Sequence, residues 1–257
     1  MLVLLSCAKT MSAVSKVKVP LTTSPRFQKE AAEIVLQMSQ FSVDELERLL
    51  RVNAKIAVEN YKRYQAFHAE ATPELPALLA YTGIVFKRLN PKDFSAEDFG
   101  YAQEHLRLTS FCYGLLRPLD VIRAYRLEGD VVLPELGNQT LFSYWRSRLT
   151  DTFIEDIRSA GGILCNLASD EMKSLFDWKR VESEVRVVTP EFHVWKNGKL
   201  ATIVVYTKMS RGEMTRFILK NKIGNPEELK GFSWEGFEFD ESLSDERKLV
   251  FINGMGE

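Results

Sequence analysis

Residues His105 to Glu128 read HLRLTSFCYGLLRPLDVIRAYRLE. Arg107, Arg117, Arg123 and Arg126 stand there against Asp120 and Glu128, with Tyr113-Gly114 and Pro118 as punctuation. The expected local structure is a helix running into a short turn at Tyr113-Gly114. Cations around a tight turn between helices suit a phosphate backbone or an anionic substrate. Backbone N–H groups are free at a helix start, and guanidinium forks lie beside them. Spacing alone favours an ordinary helix–turn–helix whose arginines are solvated or paired with local acids.

Outward from that segment, Met1 to Leu5 is a short apolar run, expected as a buried strand that delivers Ser6 to Thr10 into a loop. Met11 to Pro25 reads as a loop or extended connection. Ser42-Val43-Asp44-Glu45 has the form of a capping box opening a helix with the face Leu46, Leu49, Leu50, Asn53, Ile56 and Ala57. Ser95 and Asp98 suggest a second box, starting the helix that enters the central segment. Leu141, Tyr144, Trp145, Leu149, Phe153 and Ile157 form an apolar helical stripe stopped by Gly161-Gly162. Ile163 to Ala168 then reads as a buried strand.

In the last third, Val185–Trp195 and Lys199–Thr207 flank Asn197-Gly198, a hairpin signal because both turn positions favour positive φ. A helix is expected from Ser210 to Lys222, with Met214, Phe217, Ile218 and Asn221 inward, and short strands near Gly236–Phe239 and Leu249–Ile252. With no repeats or linkers, the economical reading is one α+β domain over residues 1–257, a mixed β-sheet flanked by helices.

Three polar blocks come directly after expected strands: Ser6 to Thr10, Ser169 to Glu171, and Lys208 to Arg211. Strand ends commonly gather binding groups. If the loops converge, Lys9, Ser169, Glu171, Lys208 and Arg211 surround one cleft with Arg117 and Arg126, five cations against one carboxylate. That is an anion site suited to phosphates. Separate surface loops fit the spacing equally well.

The central segment resembles the YaaA peroxide-stress protein family. The resemblance recurs at Leu4-Leu5-Ser6-Cys7-Ala8-Lys9-Thr10, at Asn166-Leu167-Ala168-Ser169-Asp170-Glu171, at Lys208-Met209-Ser210-Arg211-Gly212 and from Gly231 to Phe251. It implies a cytoplasmic, bacterial protein linked to survival of hydrogen peroxide, binding DNA through a helix–hairpin–helix element. It also favours convergence of the polar blocks, since these are the blocks it preserves. The chain departs from the family pattern in several places. Cys7 stands where proline is usual, and Cys112 where leucine is. Ser110-Phe111-Cys112-Tyr113-Gly114 replaces a Ser-Gly-Leu-Tyr-Gly hairpin, losing the glycine that lets backbone approach phosphate. Ile84, Phe86 and Met172 replace Asp, Tyr and Tyr, and Lys208-Met209 is a reduced basic pair. The chain reads as a divergent member.

With 34 basic and 35 acidic residues among 257, the net charge is −1, so no global field draws the chain to nucleic acid or an anionic membrane. A nucleic-acid site must be a local patch. Cys7, Cys112 and Cys165 have no metal-type spacing and argue for a reducing compartment. Leu4-Leu5-Ser6-Cys7 resembles a lipoprotein cleavage site only superficially, since a basic n-region and an h-region are missing, so export is not expected. No apolar run approaches a membrane span. His68, His105 and His193 lack metal-ligand spacing, and no phosphate loop or nucleophile elbow implies a metal or cofactor.

Two function classes stay open. One is a DNA-binding stress protein in which Lys9, Thr10, Arg107, Tyr113, Gly114, Arg117, Arg126, Ser169, Lys208 and Arg211 meet the duplex backbone without reading sequence. The other is an enzyme acting on a phosphorylated small molecule or nucleotide, with Glu171 or Glu128 as general acid/base and the cations as a clamp. A basic groove running past Gly114 speaks for the first. A pocket closed around Lys9, Arg126 and Glu171 speaks for the second.

Overall fold

The apolar run at the start of the chain becomes an interior strand of the main sheet. The computed structural model describes residues 1–196 and 198–254. Eight strands make this sheet: β1 (Leu2–Leu5), β2 (Leu106–Ser110), β3 (Gly114–Leu116), β4 (Ile163–Asn166), β5 (Arg186–Lys196), β6 (Lys199–Ala201), β7 (Phe237–Asp240) and β8 (Lys248–Asn253). Their order is β7-β8-β5-β4-β1-β2-β3, with β6 paired to β5. Strands β8, β5, β4, β1 and β2 run parallel, while β7, β6 and β3 join antiparallel. All four residues of β1 are buried because a parallel interior strand is covered on both faces. Its neighbours on either side set the register, Val3 opposite Leu106 and Leu2 opposite Leu164.

Helices flank this mixed sheet, and one apolar cluster runs from Met1 to Phe251. Both capping boxes form, at Ser42/Glu45 and Ser95/Asp98. The stripe from Leu141 to Ile157 is buried along the helix Leu141–Ser159, and Gly161 and Gly162 come after it with positive φ. The first capped helix is shorter than expected. It ends at Leu50 because Arg51 turns left-handed, and Asn53 caps a separate helix, Ala54–Ala66.

The central segment is a correction. The helix Ala96–His105 stops at His105, and the chain continues as strand, turn and strand, β2 into β3, so this stretch forms no helix–hairpin–helix element. Leu106 and Leu108 alternate with Arg107 and Thr109 at a period of two, and pairing of β2 with β1 and β3 settles the matter. The C-terminal hairpin forms, with Lys196 opposite Lys199, while Asn197 lies outside the described residues. Its second arm ends at Ala201, and the helix begins at Val204 and runs to Asn221. Lys208 and Arg211 therefore sit on a helix instead of in a loop. Met214 and Ile218 face the core, whereas Asn221 is exposed.

Candidate functional site

Parallel strands bring their carboxyl ends to one edge of a sheet, where binding loops collect. The residues leaving β1, β2 and β4 meet at that edge around a cavity of about 340 Å³. Ser6–Thr10 leave β1, Phe111 leaves β2, and Leu167, Ser169 and Glu171 come after β4. Arg126 enters from the chain beyond β3, and Lys208 and Arg211 project from the helix Val204–Asn221. Gly212 lets that helix come close. A Cβ there would lie 2.3 Å from the Val85 carbonyl oxygen.

Hydrogen bonds tie the loops together. Ser169 N–H donates to Ser6 Oγ at 2.9 Å, and the two hydroxyls lie 3.3 Å apart. Cys7 N–H donates to Thr109 Oγ1 (3.2 Å), whose hydroxyl donates to Met172 Sδ. Thr82 hydroxyl donates to Thr10 Oγ1 at 3.2 Å, fastening the rim. Below the rim, Glu128 is buried and holds Lys9 Nζ at 2.7 Å, with Arg126 NH2 3.5 Å away. Tyr64 hydroxyl donates to the Arg126 carbonyl.

Arg126 Nε and Arg211 Nε are buried without a hydrogen-bond partner. Burial pulls the Arg211 guanidinium below its ordinary range, with Asp170 opposing. Among the described residues, Lys208, Arg211 and Glu171 have no ion-pair partner. The cleft thus offers an apolar floor of Leu5, Phe86, Leu127 and Met172 beneath unneutralised cations and one exposed carboxylate.

Lys9, Thr10, Arg126, Ser169, Glu171, Lys208 and Arg211 are brought together. Four other candidates are not. Arg107 is buried against Asp156 at 2.6 Å. Arg117 is folded onto Asp120, with NH2 to Oδ1 at 2.8 Å and a second bond to the Ser24 carbonyl. Tyr113 is buried, and its hydroxyl accepts from Arg123 N–H. Gly114 has φ +71°, and a Cβ there would meet the Trp145 ring at 2.8 Å. The hairpin turn therefore packs against the helix Leu141–Ser159. Phe111 stacks edge-on against Phe142 with centroids 5.5 Å apart, and its carbonyl accepts from Trp145 Nε1. Phe111→Gly would open a hole in the core.

A second depression of about 960 Å³ adjoins the cleft and shares Phe86 with it. A strap through Met11 and Ser12 is bridged to Tyr81 and bonded to the Ala80 carbonyl, and Ser12 lines this second depression. Lys16, Lys18, Lys87 and Lys92 line this groove, all exposed, and among the described residues no carboxylate lines it. None of the four is ion-paired among the described residues. Sequence reasoning missed them because they are scattered over Lys16 to Lys92 in a chain of net charge −1. Among the described residues, no group of three His, Cys, Asp or Glu side chains could hold a metal, and no helix is long and apolar enough to cross a membrane.

Residues 1–243 match the family model described as peroxide stress protein YaaA. A UPF0246 protein of Bacteroides thetaiotaomicron is 99% identical over 257 residues, covering 100% of both chains. A UPF0246 protein of Crocosphaera subtropica is 38% identical over 253 residues, 98% of this chain and 100% of that one. One of Saccharophagus degradans is 34% identical over 254 residues, 98% of each.

Proposed function

The chain belongs to the YaaA peroxide stress protein family, and on that premise we propose that it acts in the cytoplasm by binding the backbone of duplex DNA without reading sequence. The observation that carries this is the groove of four exposed lysines, Lys16, Lys18, Lys87 and Lys92, with no carboxylate in its lining among the described residues. Exposed, unneutralised ammonium groups bind phosphates by releasing counterions, a process indifferent to base identity. Lys208, exposed and without an ion-pair partner among the described residues, continues the cationic character at the cleft mouth. The DNA reading thus rests on the groove, and no longer on the buried hairpin. The test replaces all four groove lysines by alanine. Wild type should bind unrelated duplexes with similar affinity and the variant should lose that binding. Retained binding by the variant rejects the groove.

A second reading is favoured by a separate observation, the enclosure of Arg126, Arg211 and Glu171 around one small cavity. Buried, unpartnered guanidinium N–H groups are costly unless a ligand satisfies them. In this reading the cleft acts on a phosphorylated small molecule or nucleotide, with Glu171 as general acid/base and the arginines as the phosphate clamp. Glu128, the other candidate, is buried, engaged with Lys9 and outside the cavity lining, so this reading gives the role to Glu171. Turnover of a phosphorylated substrate lost on Glu171→Gln supports this reading. Unchanged turnover rejects it.

A further inference from the structure

The charges left over in the cleft restrict what fits it. Glu128 neutralises Lys9 at 2.7 Å, whereas Arg126, 3.5 Å from Glu128, keeps its buried Nε without a hydrogen-bond partner. Arg211 and Lys208, two further cations, and Glu171, one anion, line the cavity without an ion-pair partner among the described residues. Two positive charges match the dianion of a phosphate monoester better than the single charge of a diester. The lone carboxylate calls for a hydrogen-bond donor elsewhere on the same ligand. Phe86, Leu127 and Met172 form an apolar wall that a flat ring can cover. A cavity of about 340 Å³ holds one such unit and no more.

We propose that the cleft is a binding pocket for a nucleoside 5′-monophosphate group, its phosphate on Arg211 and Lys208, a hydroxyl or amino donor on Glu171, and its base against Phe86 and Leu127. This rests on the second reading above and narrows it to a monoester with an attached base. The group has two sources, a free nucleotide or the 5′-phosphorylated end of a strand, and the pocket chemistry is the same for both.

The test is isothermal titration calorimetry of the full-length protein with deoxyadenosine 5′-monophosphate, deoxyadenosine and inorganic phosphate. The nucleotide should bind at least about tenfold more tightly than either fragment, and Lys208→Ala should weaken it about tenfold, the loss for one charged hydrogen bond. Lys208 is exposed, so this variant folds as wild type, and it stands in for Arg211→Gln should that variant be unstable. Equal affinity for nucleotide and deoxyadenosine, or no effect of Lys208→Ala, overturns the proposal. Displacement of the nucleotide by a 5′-phosphorylated oligonucleotide, and not by its 5′-hydroxyl counterpart, assigns the pocket to strand ends. Displacement by neither assigns it to free nucleotides. Binding without any turnover upholds the pocket and removes the catalytic reading. Alanine at Lys87 and Lys92 should leave nucleotide binding intact, which separates this pocket from the duplex groove.

Discussion

A thiol facing a cleft reacts with peroxide only as thiolate. Cys7 lines the cleft, yet its thiol is pushed up to about 12 by burial, with the negative charges of Glu171 and Glu128 adding to this and the Thr109 hydroxyl opposing. Lys9, close in sequence, does not rescue it because Glu128 holds its amine at 2.7 Å. At pH 8 such a thiol is about one part in 10⁴ ionised, so iodoacetamide should label Cys7 in the folded protein at least about a hundredfold more slowly than in the unfolded chain. Mass spectrometry of timed aliquots checks this, and rates within a few-fold of each other would contradict it. Cys165, buried, is also raised to about 12. Raised thiol values mean that the folded state holds these protons more tightly. The resulting stabilisation is complete below the unfolded thiol value of about 8.5 and is lost as pH climbs toward about 12. Denaturation midpoints should therefore fall on the alkaline side. In a host lacking the gene and sensitised to hydrogen peroxide, a Cys7→Ser copy should restore tolerance; failure to do so would put thiol chemistry into the mechanism. The two cleft carboxylates should part company in stability. Glu128→Gln should cost about 1–3 kcal/mol, because it strips a buried charge partner from Arg126 and Lys9. Glu171→Gln, exposed and unpaired, should stay within about 0.5 kcal/mol in urea titration.

The helix Val204–Asn221 carries Lys208 and Arg211 into the cleft, and Gly212 is what lets it approach the helix Ile84–Leu89. Gly212→Ala should cost about 1–3 kcal/mol, since a Cβ would lie 2.3 Å from the Val85 carbonyl and 2.8 Å from Arg88 Cβ. Ser210→Ala on the same helix is the control. Ser210 Oγ is buried without a partner, so its loss should be neutral or stabilising in the same denaturant titration. Equal losses from both would show that the close approach is not what matters. Elements whose signals are local were legible in the sequence: the capping boxes at Ser42 and Ser95, the stripe from Leu141 to Ile157, and the run Leu2–Leu5. Spacing leaves the convergence of Lys9, Ser169, Glu171, Lys208 and Arg211 open, and only the family resemblance favours it. Lys208 and Arg211 arrive by a helix, and Arg117, expected with them, lies outside the cavity lining. The parallel pairing of β1 with β2 and β4 was not legible, because register between Leu4, Arg107 and Asn166 is written in no local pattern. Around Gly114 the spacing favours arginines solvated or paired with local acids over a phosphate site, and Arg117 on Asp120 is such a pair. The pairing of Arg107 with the distant Asp156 is visible only in the fold.

At the scale of the whole molecule, a net charge of −1 conceals segregation of charge. Acidic residues are spent on ion pairs such as Arg216–Asp93 and Lys220–Asp98, while Lys16, Lys18, Lys87 and Lys92, along one groove, have no ion-pair partner among the described residues. Such a surface binds polyanions weakly at high salt and strongly at low salt. Four lysines on phosphates give a slope of log affinity against log salt of about −3 to −4, and removing two of them flattens it by about two. Lys87→Ala with Lys92→Ala is the pair to use, because both are exposed and unpaired, so the fold is left alone. The decisive measurement is fluorescence anisotropy of a labelled duplex, titrated at a low and a higher salt concentration with wild type and this double variant. The groove predicts salt-sensitive binding of unrelated duplexes by wild type and a slope flattened by about two in the variant. Folded wild-type protein that binds no duplex at low salt, or a variant whose slope is unchanged, would contradict it.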